Sequence, residues 1–432
     1  MMLVPCGMLA LLASFAAATA AAGAARPERH VALSHAGATA AQKAAQLDVL
    51  NAAFAAVGLQ QEAGSSREAV RSFVFQGFHA LGFPAAAIGA LDSELFAHVV
   101  PNALFHAAAP QPPIASPTTT NATRRDCEAQ EVPAALYNLD RLDQVNLPLD
   151  GLYVHPASVG ADVTVFIVDT GMRITHEEFR EAGGGGARAT WGVNTIDDDD
   201  TDSTGHGTHV AGTAGGLTYG VCKTCGLVSV KVLGAGGTGT LESILEGLEW
   251  IGETGIPGSS EAAHFVINLS LGGALSEIFD TALAVLRDSP DTNAHIVAAA
   301  GNTNVDACGT SPARAGAAIS VANSFILISQ DFRTGGTNWG PCVTLWAPGN
   351  QILSAGSLSD TSSRTTGGTS MSAPHVSGVV ALYASSMGPG AAVERVKQAV
   401  LADASEGLVG DALEDRGTPN LLLRMPCPLP TS

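Results

Sequence analysis

Positively charged residues are scarce in this sequence. Its 432 residues include 21 Lys and Arg against 40 Asp and Glu, which gives a net charge of −19. Proteins that bind nucleic acid present a basic face to the phosphates, so this balance argues against a nucleic-acid partner. Charged residues make up only 14% of the chain and hydrophobic residues 46%. The chain can therefore bury a sizeable core, and its length suggests a large domain with a smaller one.

Long apolar runs are absent beyond the N-terminal region. No later segment has the roughly 20 unbroken apolar residues that a membrane span needs, so none is expected. Residues 1–25 contain an alanine-rich apolar run that ends in small residues, which is typical of a secretory signal peptide. The basic residues that usually precede such a run are missing, because the first is Arg26. We predict a signal peptide cleaved near Ala20–Ala25; the alternative is a buried or disordered tail.

The most informative stretch is Gly367–Gly378, in which a small, flexible half precedes an apolar half. The apolar half lacks the alternation of a strand and predicts a buried helix that begins at Ser370. Serine at a helix start is often only a cap, but it can also be a nucleophile in the field of the helix N-terminus. Pro374 inside the first turns, and paired glycines that let backbone N–H groups approach a ligand, favour the nucleophile.

A serine nucleophile needs a base and an acid that orients the base. An apolar strand ends in Asp169, and His206 lies between two glycines at a predicted helix start. The carboxyl ends of strands in an open parallel sheet are where such folds bind ligands. Asp169, His206 and Ser370 therefore form a candidate triad, in the chain order known for subtilisin. His209, about one helical turn further on, is interpreted as a structural histidine of the same helix.

Three motifs carry a family resemblance: Asp169-Thr-Gly, Gly-His206-Gly-Thr-His-Val-Ala-Gly-Thr and Gly-Thr-Ser370-Met-Ser-Ala-Pro-His. On these motifs the chain resembles the subtilisin-like serine proteases, and most closely the proteinase K branch, over roughly 130–425. The resemblance implies an α/β fold with a doubly wound parallel sheet, preceded by a small α+β prodomain of the inhibitor type. It also implies a secreted serine endopeptidase that is made as a self-processed zymogen, with the prodomain as intramolecular inhibitor and folding aid.

The resemblance also implies further site residues. The Asn302 side-chain amide and the Ser370 backbone N–H would form the oxyanion hole, which stabilises the charge that develops during acyl transfer. Substrate would bind as an added strand between two segments, which predicts broad specificity. The small Gly309-Thr310 pair indicates that a bulky apolar residue at the cleaved position is tolerated. The residues of the two segments are Gly237, Thr238, Gly239, Ser270, Leu271 and Gly272.

We expect the chain to divide into a signal peptide over 1–25, an inhibitor-like prodomain over 26–107, a linker over 108–130 and a catalytic domain over 131–432. For 26–107, an independent accessory domain is the alternative. The linker is rich in Pro, Ser and Thr and contains a glycosylation sequon at Asn121. The processing cut is expected between Phe105 and Pro133, near Arg125–Glu131. In the prodomain we predict strands over 31–33, 70–76 and 98–101, helices over 40–57 and 85–97, and residues 75–81 on the sheet.

The catalytic domain alternates strands and helices, which predicts a parallel sheet with helices on both faces. The predicted strands are Val163–Val168, Leu227–Val232, His264–Ser270, Ala294–Ala300, Ile319–Val321 and Val343–Trp346. The predicted helices are Gly207–Gly215, Leu241–Ile251, Glu277–Ser289, Ser370–Met387 and Ala391–Ala402.

Metal binding is left unassigned. The family chemistry requires no cofactor, and structural calcium is compatible with the resemblance. The aspartate of the usual strong site is, however, replaced by Thr344, and Ca²⁺ prefers charged oxygen ligands, so that site is not expected. The acidic run Asp197–Asp200, with Asp202, is interpreted as a solvated loop. A local calcium site or a preference for basic substrate residues is the alternative.

The seven cysteines include Cys6, which leaves with the signal peptide. The resemblance implies a disulfide between Cys308 and Cys342. Cys222 and Cys225 form a Cys-x-x-Cys pair, either a local bridge or a redox pair; the bridge is favoured because no thioredoxin-like context surrounds it. A zinc site would need two more ligands, and none is suitably spaced. Cys127 and Cys427 would tie the mature termini together if the cut precedes Cys127, and disulfides agree with secretion.

The resulting hypothesis is a monomeric protease of polypeptides, located outside the cell or, through the secretory route, in a vacuolar or lysosomal lumen. An α/β-hydrolase is a poor rival, because it needs Gly-x-Ser-x-Gly and an acid that follows the serine. A rival from another class is a binding protein, a subtilisin-like chain that cuts itself once and retains its prodomain. Because all catalytic residues are present, the sequence leaves this second rival open.

Overall fold

The computed structural model describes residues 29–34, 71–75, 78–84, 96–107, 127–157, 159–254, 264–289, 292 and 294–429. The chain divides into two compact units, Met1–Ala103 and Leu104–Ser432. The predicted signal peptide, the predicted helix over 40–57 and the Asn121 sequon lie outside the described residues. Within the described ranges, no helix is both long and apolar enough to cross a membrane.

The first unit contains an antiparallel sheet with the strand order β2-β3-β1-β4. The strand β3 overlaps residues 75–81, which were expected on the sheet, but it was not among the predicted strands, because it contains glycine and ends in proline, which are depleted in strands. Its pairing with β1 on one edge and β2 on the other forms it nonetheless. The strand β4 begins at Phe96, so the predicted helix over 85–97 overlaps its start. The strands are β1 (Arg29–Ser34), β2 (Arg71–Phe75), β3 (Phe78–Pro84) and β4 (Phe96–Pro101).

The strands of the second unit include all six that the sequence predicts. The strand Ala189–Asn194 was missed, because its Gly192 interrupts the apolar pattern where the Trp250 ring packs. In chain order, the strands are β5 (Leu104–Ala107), β6 (Cys127–Glu131), β7 (Leu152–Pro156), β8 (Val163–Asp169), β9 (Ala189–Asn194), β10 (Gly226–Lys231), β11 (Thr238–Thr240), β12 (His264–Leu269), β13 (Leu271–Ala274), β14 (Ala294–Ala299), β15 (Thr310–Ser311), β16 (Ala318–Leu327), β17 (Gln330–Arg333), β18 (Leu345–Pro348), β19 (Ile352–Ala355), β20 (Ser363–Thr366), β21 (Ser405–Glu406), β22 (Val409–Gly410) and β23 (Leu421–Leu422).

The central sheet of this unit has the order β21-β23-β18-β16-β14-β12-β8-β10-β9 among the described strands, and β17 pairs with β16. From β18 to β9 all neighbours are parallel. After β8 the chain forms β9 and β10 on one side, and later β12, β14, β16 and β18 on the other. A strand order that reverses in this way leaves a crevice at the carboxyl ends of the strands. The predicted doubly wound α/β fold is confirmed.

The five helices predicted for the second unit follow their predicted bounds closely. The short helix Tyr137–Asp143 was not predicted, since its seven residues are too few to show a helical period. The α-helices are α1 (Tyr137–Asp143), α2 (His206–Gly215), α3 (Leu241–Thr254), α4 (Glu277–Asp288), α5 (Thr369–Met387) and α6 (Val393–Asp403). Short 3₁₀ helices cover Ala134–Leu136, Glu177–Phe179, Ala307–Gly309 and Glu414–Arg416.

The helix α5 is almost entirely buried, and so is α2 after its first residue. Together with the sheet strands they form one apolar core that contains Val210, Val376 and Val380. A helix that is hydrophobic on all sides has no polar face to give a periodic pattern. This explains why the apolar run after Ser370 shows no alternation. Both helices begin near the carboxyl ends of the sheet strands, so the core positions the residues of their first turns.

Candidate active site

Asp169 is the last residue of β8 and lies at the strand-order reversal of the sheet. Its side chain is fully buried. The Thr170 N–H donates to Asp169 Oδ1 at 2.7 Å. The same oxygen lies 2.7 Å from Nδ1 of His206. Since a carboxylate only accepts hydrogen bonds, Nδ1 of His206 carries the proton in this contact.

His206 is the first residue of α2, with Nδ1 towards Asp169, and it lines a cavity together with Ala107 and Met371. Because Nδ1 carries the proton, the lone pair of the neutral ring is on Nε2, which is the arrangement of a base. Burial lowers the pKa of His206, but the negative charge of Asp169 and the hydrogen bond to it outweigh burial, so the pKa is raised above 6.5. Gly205 precedes the helix in the left-handed region, at φ 72°, where a glycine is favoured.

His209 lies one turn further along α2 and has a different environment. Its Nε2–H donates to the Ile352 carbonyl oxygen at 2.9 Å. Its side chain is completely buried, and burial lowers the pKa of His209 to about 3. The ring is therefore neutral and connects α2 to β19, which agrees with the structural role that the sequence suggests.

Ser370 lies in the first turn of α5 and forms a reciprocal pair with Ser270. Its Oγ–H donates to the Ser270 carbonyl oxygen at 3.0 Å, and the Ser270 Oγ–H donates to the Ser370 carbonyl oxygen at 2.8 Å. In a regular helix the Ser370 carbonyl would accept from the N–H four residues on, but that residue is Pro374, which has none. Pro374 thus leaves this carbonyl to Ser270. The structure thereby explains the proline within the helix.

Asn302 follows the end of β14 and contacts the start of α5. Its Oδ1 accepts the Thr369 N–H at 2.9 Å. The donor of the same amide group is Nδ2. The Gly301 N–H donates to Thr369 Oγ1 at 3.1 Å. Gly301 has φ 103°, and a Cβ at this position would lie 2.4 Å from Nδ2 of Asn338. The glycine of the predicted Gly-Asn pair is therefore required by the backbone, and both residues of the pair contact Thr369 at the start of α5.

The two predicted substrate-binding segments flank a strand of the same chain. The strand β5 lies between β11 and β13 and is antiparallel to both. Phe105 of β5 is completely buried, with its ring 5.1 Å from that of Phe279 in an edge-to-face contact. Ala107, His206 and Met371 line one cavity of about 270 Å³, which connects the end of this strand with the histidine and with the residue after Ser370.

Comparison with known protein families agrees with this geometry. The model of the Subtilase family, Peptidase S8, matches residues 160–422. The chain belongs to the subtilase family. The resemblance inferred from the three sequence motifs is thereby confirmed, and an α/β-hydrolase is excluded.

The relatives of this subtilase are serine proteases. An extracellular serine proteinase of Thermus sp. is 42% identical over 292 residues, 68% of this chain and 66% of that protein. A cuticle-degrading serine protease of Arthrobotrys oligospora is 39% identical over 285 residues, 66% of each. The chain thus spans just under two thirds of these two relatives. A cold adapted subtilisin-like serine proteinase of known structure is 39% identical with a TM-score of 0.58, covering 68% of this chain and 98% of that one.

Three disulfides cross-link the described part of the subtilase. The structure joins Cys308 to Cys342, the pair that the resemblance implies. It joins Cys222 to Cys225 as a local bridge, so these residues are not a free redox pair. It also joins Cys127 to Cys427, across 300 residues of sequence. A bridge of this length constrains the unfolded chain strongly.

The acidic run before His206 has two parts with different environments. Asp198, Asp199 and Asp200 are exposed, as expected of a solvated loop. Asp202 is only 5% exposed and was misjudged as a member of the same loop. Its carboxylate accepts from the Thr208 N–H at 2.8 Å, the Gly205 N–H at 2.9 Å and the Thr170 hydroxyl at 2.7 Å. These bonds fix the start of α2, and an acidic residue just before a helix is the signal that identifies such a cap.

Calcium binding stays a prediction, and three residues considered for it, Thr344, Asp197 and Asp199, have protein partners in the structure. No group of three or more His, Cys, Asp or Glu residues in the described part of the chain could hold a metal ion. The Thr344 hydroxyl accepts the Ser320 N–H at 3.0 Å, so it serves the sheet. In the acidic run, Lys231 Nζ bonds to Asp197 Oδ1 at 2.9 Å and also to the Asp199 carbonyl oxygen. A buried ammonium group thus satisfies these oxygens.

Proposed function

We propose that this subtilase is a secreted serine endopeptidase, made as a self-processed zymogen. Asp169, His206 and Ser370 act as its triad, and Asn302 with the Ser370 N–H forms the oxyanion hole. The observation that carries the proposal is the extended strand Leu104–Ala107, held between β11 and β13 beside these groups. A cleft that holds one peptide strand by antiparallel pairing suits polypeptide substrates.

The proposed reaction is acyl transfer in two steps. In the first, His206 Nε2 takes the Ser370 hydroxyl proton while Oγ attacks the substrate carbonyl carbon. Asp169 stabilises the imidazolium, and Asn302 Nδ2 and the Ser370 N–H donate to the developing oxyanion. His206 then gives its proton to the leaving amine, and an acyl-enzyme ester remains. In the second step, water attacks the ester with His206 again as base, which releases the acid and restores Ser370.

Several further properties belong to the same proposal. Main-chain pairing along both sides of the cleft favours broad specificity, with an apolar residue at the cleaved position. The extracellular serine proteinase of Thermus and the predicted signal peptide both support secretion to the extracellular space. We expect the enzyme to be a monomer, with its prodomain as intramolecular inhibitor and folding aid. The chemistry needs no cofactor, because each proton and charge has a protein group assigned to it.

The test compares full-length wild type with Ser370→Ala. Self-processing is followed by intact mass, and turnover by hydrolysis of a peptide with an apolar residue at the cleaved position. Loss of both in the variant supports the proposal, whereas equal turnover in the two chains contradicts it. If wild type cuts itself once, retains the prodomain and hydrolyses no added peptide, the binding-protein alternative holds instead.

A further inference from the structure

The strand β5 occupies the cleft in the manner of a bound peptide. On one side Ala107 pairs with Leu271, and on the other its N–H donates to the Gly237 carbonyl oxygen at 2.9 Å. The two neighbouring strands supply the same ladder of main-chain contacts that a separate substrate strand would use. The chain itself therefore shows which residues the cleft accepts, and in which register.

The register of β5 leads directly to the nucleophile. Phe105 pairs with Gly273 and Ala107 with Leu271, so each step forward on β5 is a step back along β13. If this register continued for one more residue, it would lead to Ser270, which directly precedes Leu271 in the chain. The Ser270 carbonyl oxygen accepts the hydroxyl of Ser370 at 3.0 Å. The described strand ends at Ala107, and one further Cα–Cα step of about 3.8 Å in the same register would bring the next carbonyl to Oγ.

We propose, on the basis of the function proposed above, that the first self-cleavage of this chain is at the Ala108–Ala109 bond. Ser370 Oγ attacks the carbonyl carbon of Ala108, the bond to the Ala109 nitrogen breaks, and His206 gives its proton to that nitrogen. Water then hydrolyses the ester of Ala108. One water is consumed, and the products are an Ala108 carboxylate and an Ala109 amine.

Phe105 is the residue that selects this bond. Its side chain is completely buried against Phe279, whereas the preceding Leu104 is 57% exposed and His106 is also exposed. Gly273 provides the space, because a Cβ there would lie 2.8 Å from Cδ1 of Phe105. A slip by one residue along the cleft would replace Phe105 in this pocket by Leu104 or His106. The buried ring therefore fixes the register and with it the position of the cut.

The proposed bond differs from the region near Arg125–Glu131 that the sequence suggested. A cut after Ala108 leaves residues 109–126 on the catalytic fragment, ahead of Cys127. The disulfide between Cys127 and Cys427 then lies within that fragment. It follows that this disulfide does not hold the two products together, and that self-cleavage is compatible with release of the N-terminal fragment.

The bond is identified by intact mass on the full-length chain at early times of self-processing. The expected result is a complementary pair of fragments whose masses add up to the precursor plus one water, with Ala108 at the end of one and Ala109 at the start of the other. Masses that add up in this way are seen only before either fragment is trimmed, so the pair reports the first cut. If the earliest complementary fragments were joined in the precursor by any other bond, the proposal is overturned.

The selecting role of Phe105 is tested with Phe105→Asp against the matched control Leu104→Asp. Both introduce the same charge on neighbouring residues, but only Phe105 is buried. We expect the first variant to slow self-cleavage at this bond roughly tenfold to a hundredfold, and the control to cut at a rate close to wild type. Equal slowing by both substitutions contradicts the role.

A synthetic peptide that spans residues 102–112 gives a second measurement that does not depend on folding of the variants. Processed wild type is expected to cut it between the alanines that correspond to Ala108 and Ala109, and to cut a Phe-to-Asp version much more slowly. If the enzyme hydrolyses other peptides but cuts this one elsewhere, the bond assignment fails and the peptidase function stands. If no peptide is hydrolysed and no self-cleavage depends on Ser370, the proposed function itself fails.

Discussion

The two sides of the cleft hold their functional groups by different interactions. On the side that we call the base side, formed by Asp169, Asp202 and His206, buried carboxylates contact an imidazole and the start of α2. On the nucleophile side, formed by Ser270, Asn302, Thr369, Ser370 and Pro374, all groups are neutral and bond through hydroxyls, amides and main chain.

This difference separates two functions of the site. Charge on the base side raises the pKa of His206, so it controls the protonation state on which activity depends. Neutral hydrogen bonds on the nucleophile side fix distances and donors without changing protonation. Substitutions on the base side should therefore shift the pH dependence of kcat/KM. Substitutions on the nucleophile side should lower kcat/KM by the same factor at every pH.

The largest effect is expected for Asp169→Asn on the base side. The amide has almost the same shape but no charge, so it neither holds the Nδ1–H tautomer of His206 nor stabilises the imidazolium. We expect kcat to fall about 10⁴-fold with little change in thermal stability. The control is Asp360→Asn, which removes the charge of a half-exposed aspartate paired with Arg173 and should leave kcat close to wild type. A loss below tenfold for Asp169→Asn would contradict the assignment.

The next effect is expected for Asn302 on the nucleophile side. Asn302→Leu removes the Nδ2 donor, and kcat should fall about 10²- to 10³-fold while KM changes little. Asn302→Asp keeps the oxygen that accepts the Thr369 N–H but also lacks the donor, so it separates positioning of α5 from oxyanion stabilisation. Near-normal kcat in the Asp variant would show that the amide acts only by holding the helix.

Ser270→Ala tests the reciprocal serine pair and should have a smaller effect. The Ser370 carbonyl loses its hydroxyl donor, and Pro374 offers no N–H to replace it. The Asn268 Nδ2–H also loses its acceptor, Ser270 Oγ, at 2.9 Å. Loss of these two bonds predicts a free energy of unfolding lower by about 1–3 kcal/mol and a kcat lower by several-fold. Adding Pro374→Ala to this variant supplies a backbone N–H for the same carbonyl, so the double variant should regain part of the loss. Strictly additive effects of the two substitutions would argue against the shared carbonyl.

The sequence alone predicts the sites that local motifs mark. Asp169, His206 and Ser370 each lie at the end of a strand or the start of a helix, in a short motif that can be read without knowledge of the fold. The apolar runs of the parallel strands are equally local, because both faces of the sheet are covered and no alternation is needed.

Other features depend on contacts between distant parts of the chain. Nothing in Leu104–Ala107 indicates pairing with β11 and β13, which are more than a hundred residues away in the sequence. Asp202 and its neighbour Asp200 look alike in the acidic run, yet one is buried and one exposed because only Asp202 reaches the start of α2. Pro374 was noted as unusual, but its reason lies in Ser270, a hundred residues earlier.

The smallest effect is expected for Asp202→Asn, which tests the difference between the two sides of the cleft directly. The negative charge of Asp202 contributes to the raised pKa of His206. Since His206 acts only when neutral, kcat/KM should rise with pH through a pKa above 6.5 in wild type. Removing the charge lowers this pKa, so the acid limb should move to lower pH. Ser270→Ala, a neutral change across the cleft, should lower kcat/KM at every pH and leave the limb in place. If the acid limb moves in both variants, or in neither, the idea that charge on the base side alone controls the pKa of His206 is contradicted.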